Sequence, residues 1–204
     1  MFWAFAGTAT VAVGVLIWGE WRTSPLRYIS KPIASLAFIA AGIGRGALDS
    51  TYGTILFVGL ILAAFGDVFL LGSTRRSFLA GLISFLLGHV AYVVAFLTLG
   101  TDIWWLAGSF FLVVGLATVI LRWLRPHLDA EMNSPVLAYV AVISLMVVAA
   151  TGAVGDGATS WILAGAIGFF ASDLAVARNQ FITESVANRA WGLPLYYASQ
   201  FVLA

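Results

Sequence analysis

The sequence contains no cysteine and few charged residues. The absence of cysteine excludes disulfide bonds, thiolate nucleophiles and metal sites built from cysteine. Charged residues make up only 9% of the chain, whereas a typical soluble domain has about 25%. Hydrophobic residues make up 62%, which is more apolar surface than a soluble fold of 204 residues can bury. The composition therefore predicts an integral membrane protein.

Long, continuous apolar runs indicate the fold class. Inside a bilayer every backbone N–H and C=O must find a partner within the protein, so only helices or closed barrels span it. Barrel strands alternate polar and apolar residues, whereas these runs have roughly the 20-residue length of a spanning helix. We predict an all-α transmembrane bundle of eight spans, forming one domain over residues 1–204. The first run lacks a basic n-region, so we interpret it as a span rather than a cleaved signal peptide. The predicted spans are 2–19, 29–44, 54–71, 78–98, 103–122, 134–154, 159–177 and 190–204.

Arginine and lysine are distributed unevenly between the predicted connections. Nine of the ten lie in or beside odd-numbered connections, and Arg45 alone lies in an even-numbered one. By the positive-inside rule, the odd connections face the cytoplasm and both termini lie on the non-cytoplasmic side. We expect the protein in the plasma (inner) membrane of a bacterium. The net charge is +1 and no basic run is present, so we expect no nucleic-acid partner.

Few ionisable side chains interrupt the spans. A charged side chain in lipid is costly and usually faces a cavity or a partner. Asp67, His89 and Asp173 lie within spans, and Lys31 begins span two. Each aspartate lies four residues before the cytoplasmic end of its span, which corresponds to roughly 6 Å of depth. One cavity that opens toward the cytoplasm or the inner leaflet accounts for this distribution.

Helical spacing predicts that several of these side chains point inward together. Phe85, His89 and Tyr92 are four and three residues apart, so they share one face of span four. Tyr197 and Gln200 share a face of span eight for the same reason. A common interior site is the arrangement that satisfies all of these polar groups.

Each candidate also has a purely structural interpretation. Asp67 and Asp173 could pair with Arg75 or Arg178 at the membrane edge. His89 could be a packing histidine, and the lysine that begins span two could extend its charge to the membrane surface. Both interpretations remain open for each residue at this point.

Short segments along most of the chain occur in the order found in one known family. They are Lys31-Pro32, Gly66-Asp67-Val68-Phe69-Leu70-Leu71, Phe78-Leu79-Ala80-Gly81-Leu82 with Phe85, His89 and Tyr92, Ser172-Asp173, and Tyr197 with Gln200. With these segments the chain resembles the lysoplasmalogenase family of YhhN-like membrane proteins. The resemblance implies an eight-span enzyme that hydrolyses the vinyl-ether bond of lysoplasmalogens. The substrate would be a lysophospholipid within membrane lipid, and the products a fatty aldehyde and a glycerophospho-alcohol.

The implied reaction requires an acid, a nearby negative charge and a base. An acid protonates the β-carbon, water attacks the resulting oxocarbenium ion, and the hemiacetal collapses to aldehyde and alcohol. Glycosidases meet similar requirements with one protonated and one ionised carboxyl group. Asp67 and Asp173 are therefore the predicted catalytic pair, and His89 is expected to orient water or share the proton. The substrate-binding residues that the resemblance implies are Lys31, which would bind the phosphate, Tyr92, Tyr197 and Gln200.

Other functions fit some of the same residues. A three-histidine metal site is excluded because the chain has only His89 and His127, although one histidine with two aspartates remains an alternative. We expect no metal and no cofactor. A proton-coupled transporter of small solutes or lipids also uses intramembrane carboxylates, but transporter spans are often broken near the midplane and no clear break is present here. A structural or signalling role is the third alternative, and nothing in the sequence indicates an oligomeric state.

Overall fold

The computed structural model describes residues 2–22 and 24–204. Within them, eight α-helices follow one another with short connections, as the sequence predicted. The helices are α1 (Phe2–Trp21), α2 (Arg27–Gly44), α3 (Thr51–Phe69), α4 (Arg75–Leu97), α5 (Ile103–Leu124), α6 (Ala130–Gly155), α7 (Ser160–Phe181) and α8 (Val186–Leu203), with a 3-10 turn (Arg125–His127) after α5. Six of the eight, α1 and α3 to α7, are long and apolar enough to cross a membrane.

The remaining helices, α2 and α8, are the shortest, with 18 residues each. Both bury polar side chains, which lowers their mean hydropathy: Lys31 and Ser35 in α2, and Asn188 and Gln200 in α8. The sequence predicted both of these spans to be short. Their polar character follows from their position, because these side chains line the interior of the bundle.

Seven helices pack in a ring in the order α1, α2, α3, α4, α6, α7, α8, and α8 closes the ring against α1. Helix α5 lies outside the ring and packs mainly against α6. Large apolar side chains of α5 point outward, as Trp104 (82% exposed) and Phe111 (75% exposed) illustrate. An apolar outer surface of this kind fits contact with lipid.

Side-chain caps determine where most helices begin. A serine, threonine or aspartate before the first turn accepts a hydrogen bond from a backbone N–H that has no partner inside the helix. As a result α8 begins after Ser185, four residues earlier than predicted. Helix α7 extends to Phe181, four residues beyond the predicted end of its span. The capping residues are Ser50, Thr74, Asp102, Asp129, Thr159 and Ser185.

These boundaries correct one expectation about the aspartates. The sequence placed both four residues from a helix end. In the structure Asp67 lies two residues before Phe69, and Asp173 lies eight residues before Phe181. The cap and last turns of α7 add residues that the apolar pattern did not include, so the two carboxyl groups are not equivalent in their helices.

Helices α3 and α4 approach each other closely at two glycines. A Cβ atom on Gly59 would overlap the ring of Tyr92, and one on Gly88 would lie 3.2 Å from the carbonyl oxygen of Gly59. Nearby, the Ser84 hydroxyl donates to the carbonyl of Leu62 at 2.6 Å. Small residues therefore let the two backbones meet, as in other membrane helix pairs. This contact fixes the face of α4 that carries Tyr92.

Candidate active site

Asp67, in the last turn of α3, is buried and contacts three side chains from two other helices. Lys31 Nζ in α2 lies 3.3 Å from Oδ1. Ser35, one turn further along α2, donates to Oδ2 at 2.7 Å, and Tyr196 in α8 donates to the same oxygen at 2.8 Å. One ion pair and two hydrogen bonds to a single carboxyl group favour its ionised form. Asp67 thereby joins α2, α3 and α8.

The hydrogen bonds continue from this cluster to α4. Gln200 Nε2 donates to the hydroxyl oxygen of Tyr196 at 3.2 Å, and the Tyr92 hydroxyl donates to Gln200 Oε1 at 2.7 Å. Tyr196 has one hydroxyl proton, which it gives to Asp67, so its oxygen is free to accept from the amide. Each bond in the chain from Tyr92 to Asp67 therefore has a fixed direction.

Tyr197 lies at the α2 side of the same cluster. Its hydroxyl donates to the backbone carbonyl of Lys31 at 3.3 Å and is 3.4 Å from the Ser35 hydroxyl. The adjacent Tyr196 is the tyrosine that contacts the Asp67 carboxylate. Tyr197 thus supports the helix that carries the lysine, rather than the aspartate itself.

Asp173, in α7, lies in a second cluster with different chemistry. The Tyr139 hydroxyl in α6 donates to Oδ2 of Asp173 at 2.5 Å, and His89 Nε2 in α4 lies 3.9 Å from the same oxygen. In the described part of the chain, no lysine or arginine lies within ion-pair distance of Asp173. Its side chain is 16% exposed, compared with 3% for Asp67. Asp173 is therefore the more accessible carboxyl group and the one without a cationic partner.

His89 is buried among aromatic rings. The ring centroids of Phe169 and Tyr139 lie 4.5 Å and 5.3 Å from that of His89, both edge to face. Among residues 2–22 and 24–204, neither ring nitrogen has a hydrogen-bond partner of standard geometry, although the ring interacts weakly with the backbone of Phe85. Buried polar groups are nearly always satisfied. The nitrogens of His89 are thus available to a water molecule or a substrate beside Asp173.

Aromatic rings lie between the two clusters. Phe169 is 4.5 Å from His89 in one cluster and 5.2 Å from Tyr196 in the other, measured between ring centroids. The carboxyl groups of Asp67 and Asp173 are close enough to interact electrostatically, but no hydrogen bond among the described residues joins them directly. The ring of helices therefore brings all seven predicted site residues to one interior region, in two adjoining clusters.

The alternative in which arginines at the membrane edge neutralise the aspartates is wrong. Arg75 lies 3.0 Å from Asp129 and 2.9 Å from Glu131, at the starts of α4 and α6. Arg178 donates to the side-chain oxygen of Asn188 at 3.1 Å. Both arginines thus connect helix ends, and the interior carboxyl groups have other partners.

Three residues of the site were not assigned by the sequence. Ser35 lies four residues after Lys31, so helical spacing indicated its face. Tyr196 directly precedes Tyr197, the tyrosine of span eight that the resemblance implied. The only indication of Tyr139 in the sequence was that a tyrosine interrupts a long apolar run.

Two apolar grooves lie on the outer surface, away from both aspartates. One, of about 470 Å³, lies between α1 and α2 and includes Val11, Leu26 and Ile33. The other, of about 280 Å³, lies between α5 and α6 and includes Phe110 and Leu137. None of the seven predicted site residues lines either groove, so neither corresponds to the cavity that the sequence predicted.

Comparisons with known proteins agree with the resemblance. A model of the YhhN family matches residues 26–204. The chain is 33% identical to lysoplasmalogenase TMEM86A of Bos taurus over 179 aligned residues, which cover 83% of this chain and 71% of that protein. It is 30% identical to a lysoplasmalogenase of Mycobacterium tuberculosis over 209 aligned positions, which cover 96% of this chain and 78% of the relative. No solved structure matches the chain significantly.

Proposed function

The chain belongs to the YhhN family, and we propose that it is a membrane hydrolase that cleaves the vinyl-ether bond of lysoplasmalogens. The observation that carries this proposal is a pair of interior carboxyl groups in unlike surroundings. Asp67 is held by the cation of Lys31, whereas Asp173 contacts Tyr139 and His89 and has no such cation. The names of the bovine and mycobacterial relatives support the substrate.

In the proposed mechanism Asp173 is the acid. It is the more exposed of the two carboxyl groups, and it has no lysine or arginine partner that would favour its ionised form. Its proton is transferred to the β-carbon of the vinyl ether, where the π electrons of the double bond form the new C–H bond. The positive charge that remains is shared between the α-carbon and the ether oxygen.

Asp67 stabilises that oxocarbenium ion. Its carboxylate is fixed by Lys31, Ser35 and Tyr196 before substrate arrives, so little reorganisation is needed when the charge develops. The ion pair with Lys31 favours the ionised form of this carboxyl group, whose negative charge would stabilise a cation that forms beside it.

A water molecule beside Asp173 completes the reaction. The water oxygen bonds to the α-carbon and gives a proton to Asp173, which restores the acid. His89, whose Nε2 lies 3.9 Å from Oδ2 of Asp173, is placed to orient that water. The hemiacetal then loses its bond between the α-carbon and the ether oxygen. The glycerol oxygen leaves with the proton that the hemiacetal hydroxyl gives up. The hydroxyl oxygen becomes the carbonyl oxygen of a fatty aldehyde.

We also propose that all eight helices cross the membrane, with both termini on the non-cytoplasmic side. Nine of the ten lysines and arginines belong to the end of the bundle where α1 ends and α2 begins, and Arg45 belongs to the other end. That asymmetry supports a cytoplasmic position for the first end. The asymmetry of lysine and arginine, together with the mycobacterial relative, also supports a location in the plasma membrane of a bacterium.

Aldehyde release from an alkenyl lysophospholipid by the purified protein in detergent tests the function. We expect aldehyde from the wild type and at least a 100-fold lower rate of aldehyde release from Asp67→Asn and from Asp173→Asn. General acid–base catalysis contributes to rates on this scale. Asp49→Asn, an exposed carboxylate at the opposite end, is the control and should retain activity. Activity in both interior variants would contradict the assignment. A folded wild type that releases no aldehyde with either choline or ethanolamine headgroups would contradict the function.

The transporter alternative has no specific support in the structure. The helices that carry the aspartates, α3 and α7, are continuous over Thr51–Phe69 and Ser160–Phe181. Transporter sites are typically built from broken helices near the midplane. The bovine and mycobacterial relatives are named lysoplasmalogenases.

A further inference from the structure

The lysine expected to bind the substrate phosphate is already paired. Lys31 Nζ lies 3.3 Å from Oδ1 of Asp67, and its side chain is only 10% exposed. A phosphodiester at this ammonium would compete with the carboxylate that the proposed mechanism uses. The headgroup therefore requires cations elsewhere, at the membrane surface.

Two arginines converge on one glutamate at the cytoplasmic end of α1, α2 and α8. Arg27 Nη1 lies 3.6 Å from Oε2 of Glu20, and Arg189 Nη1 contacts the same oxygen. Glu20 is largely buried, with 11% of its side chain exposed, while the arginines are about one-third exposed, at 31% and 29%. Glu184 also accepts from Arg189, but it is 78% exposed, so solvent weakens that pair.

The two guanidinium groups remain open to a further anion. Each has five N–H donors in a planar fork, and one carboxylate oxygen cannot satisfy two such forks. Arg27 uses one more donor on the hydroxyl of Tyr28, at 3.0 Å. A phosphodiester has two free oxygens whose geometry matches guanidinium forks. The partly buried position strengthens such contacts relative to those at a fully exposed surface.

The arginines lie one to two helical turns from the Asp67 cluster. Arg27 is four residues before Lys31, on the same face of α2 and about 6 Å closer to the cytoplasm. Arg189 is seven residues before Tyr196, which also places both on one face of α8. In a lysoplasmalogen, five covalent bonds separate the ether oxygen from the phosphorus, an extended distance of about 6 Å from standard bond lengths. The axial rise from Arg27 to Lys31 thus matches the distance between the ether oxygen and the phosphorus within the substrate.

We propose that Arg27 and Arg189 bind the phosphodiester of the lysophospholipid, while Glu20 holds the two side chains in place between turnovers. This inference rests on the proposed function, because it assigns the headgroup of that substrate. The phosphodiester then lies at the inner-leaflet surface, the vinyl ether beside the aspartates, and the alkenyl chain in the apolar half of the membrane. Free phosphate shares part of this chemistry, so the experiment must distinguish the two sources.

Kinetics with matched substrates tests the assignment. For an alkenyl lysophospholipid, Arg27→Gln and Arg189→Gln should raise KM about 10- to 100-fold, with kcat nearly unchanged. This is the change in affinity that corresponds to the loss of one charge-assisted hydrogen bond. For an alkenylglycerol without phosphate, the same variants should have the kcat/KM of the wild type. Arg22→Gln is the control, because Arg22 is exposed and packs over the Trp21 ring at 4.7 Å. Unchanged KM in both variants, or equal losses with and without phosphate on the substrate, would overturn the proposal.

A binding measurement separates this proposal from the proposed function. A 1-O-alkyl lysophospholipid has a saturated ether, so it carries the phosphodiester but cannot be protonated at carbon. We expect it to bind the wild type at least tenfold more tightly than either arginine variant. Inorganic phosphate should compete far more weakly than this lipid, and equal competition would assign a free-phosphate site and overturn the lipid proposal. Arginine-dependent binding without aldehyde release would leave the phosphodiester site standing and refute the hydrolase.

Discussion

The hydroxyl of Tyr139 in α6 lies 2.5 Å from Oδ2 of Asp173 in α7, and His89 in α4 lies 3.9 Å from the same oxygen. The three side chains come from helices that are consecutive in the ring. The packing of α6 between α4 and α7 therefore determines what surrounds the proposed acid. Tyr139 donates its only hydroxyl proton, so it holds one carboxyl oxygen and leaves the other for substrate.

Replacing Tyr139 with phenylalanine should lower kcat for vinyl-ether hydrolysis by about 10- to 100-fold. A hydrogen bond to an ionised group contributes roughly 1.5–3 kcal/mol, and Asp173 is ionised once it has given up its proton. Loss of the bond also lets Asp173 leave the position that the mechanism requires. Steady-state kinetics in detergent measures the effect. Tyr52→Phe, a tyrosine near the start of α3 and outside both clusters, should retain wild-type activity. Equal kcat in Tyr139→Phe and the wild type would contradict the positioning role.

Tyr196→Phe should reduce activity more than Tyr197→Phe. Tyr196 donates directly to Asp67, whereas Tyr197 contacts the Lys31 carbonyl and the Ser35 hydroxyl. The two residues are adjacent and lose the same atom, so each variant is the control for the other. We expect kcat/KM to fall at least tenfold further for Tyr196→Phe than for Tyr197→Phe. That difference corresponds to the free energy of one charge-assisted hydrogen bond. The opposite ranking would indicate that Tyr197 is the functional tyrosine, as the sequence had predicted.

Removing the cation beside Asp67 should destabilise the protein strongly. Loss of one partner of a buried ion pair costs about 3–5 kcal/mol, because the other charge stays buried without compensation. Lys31→Met should therefore lower the thermal unfolding midpoint in detergent much more than Arg76→Met, which removes an exposed charge. The double variant Lys31→Met with Asp67→Leu should recover part of that stability. A loss in the double variant equal to the sum of the single losses would show that the two groups do not interact.

Asp129, outside the spans, should make stability depend on pH. A hydrogen bond from the backbone N–H of Met132, together with Arg75, holds the pKa of the Asp129 carboxyl below its ordinary value of 3.8. A lowered pKa in the folded state stabilises the protein above the unfolded value, and this stabilisation is lost as pH falls through the folded value. The difference in unfolding midpoint between wild type and Asp129→Ala should therefore be largest near pH 7 and shrink below pH of about 4. A constant difference would show that ionisation of Asp129 does not contribute.

The sequence predicted the helices and the polar residues that lie inside the bundle because membrane helices follow simple rules. Apolar runs located all eight helices, and the scarcity of charge in the spans identified Asp67, His89 and Asp173. Helical spacing correctly grouped His89 with Tyr92. These signals are local in the chain, so they need no knowledge of how the helices pack.

Partners across helices could not be predicted in the same way. Lys31 was expected to bind the substrate phosphate, but the packing of α2 against α3 places its ammonium beside Asp67. Tyr139 was missed because a tyrosine in an apolar helix can face either lipid or the interior, and only the ring order decides which. The cavity expected around the aspartates depends on side-chain packing as well, and the aromatic rings of Phe85, Phe169 and Tyr196 occupy the region between the clusters.

The ring order also determines when the site forms during synthesis. Helices leave the ribosome in chain order, yet α4 must find α6 while α5 moves aside, and the ring closes only when α8 meets α1. Lys31 and Asp67 can pair as soon as α3 is inserted, but Tyr196 and Gln200 arrive with the last of the eight helices. A nascent chain stalled before α8 therefore has both aspartates but lacks the hydrogen bond from Tyr196 to Asp67. Completion of the Asp67 cluster is thereby tied to insertion of the last helix.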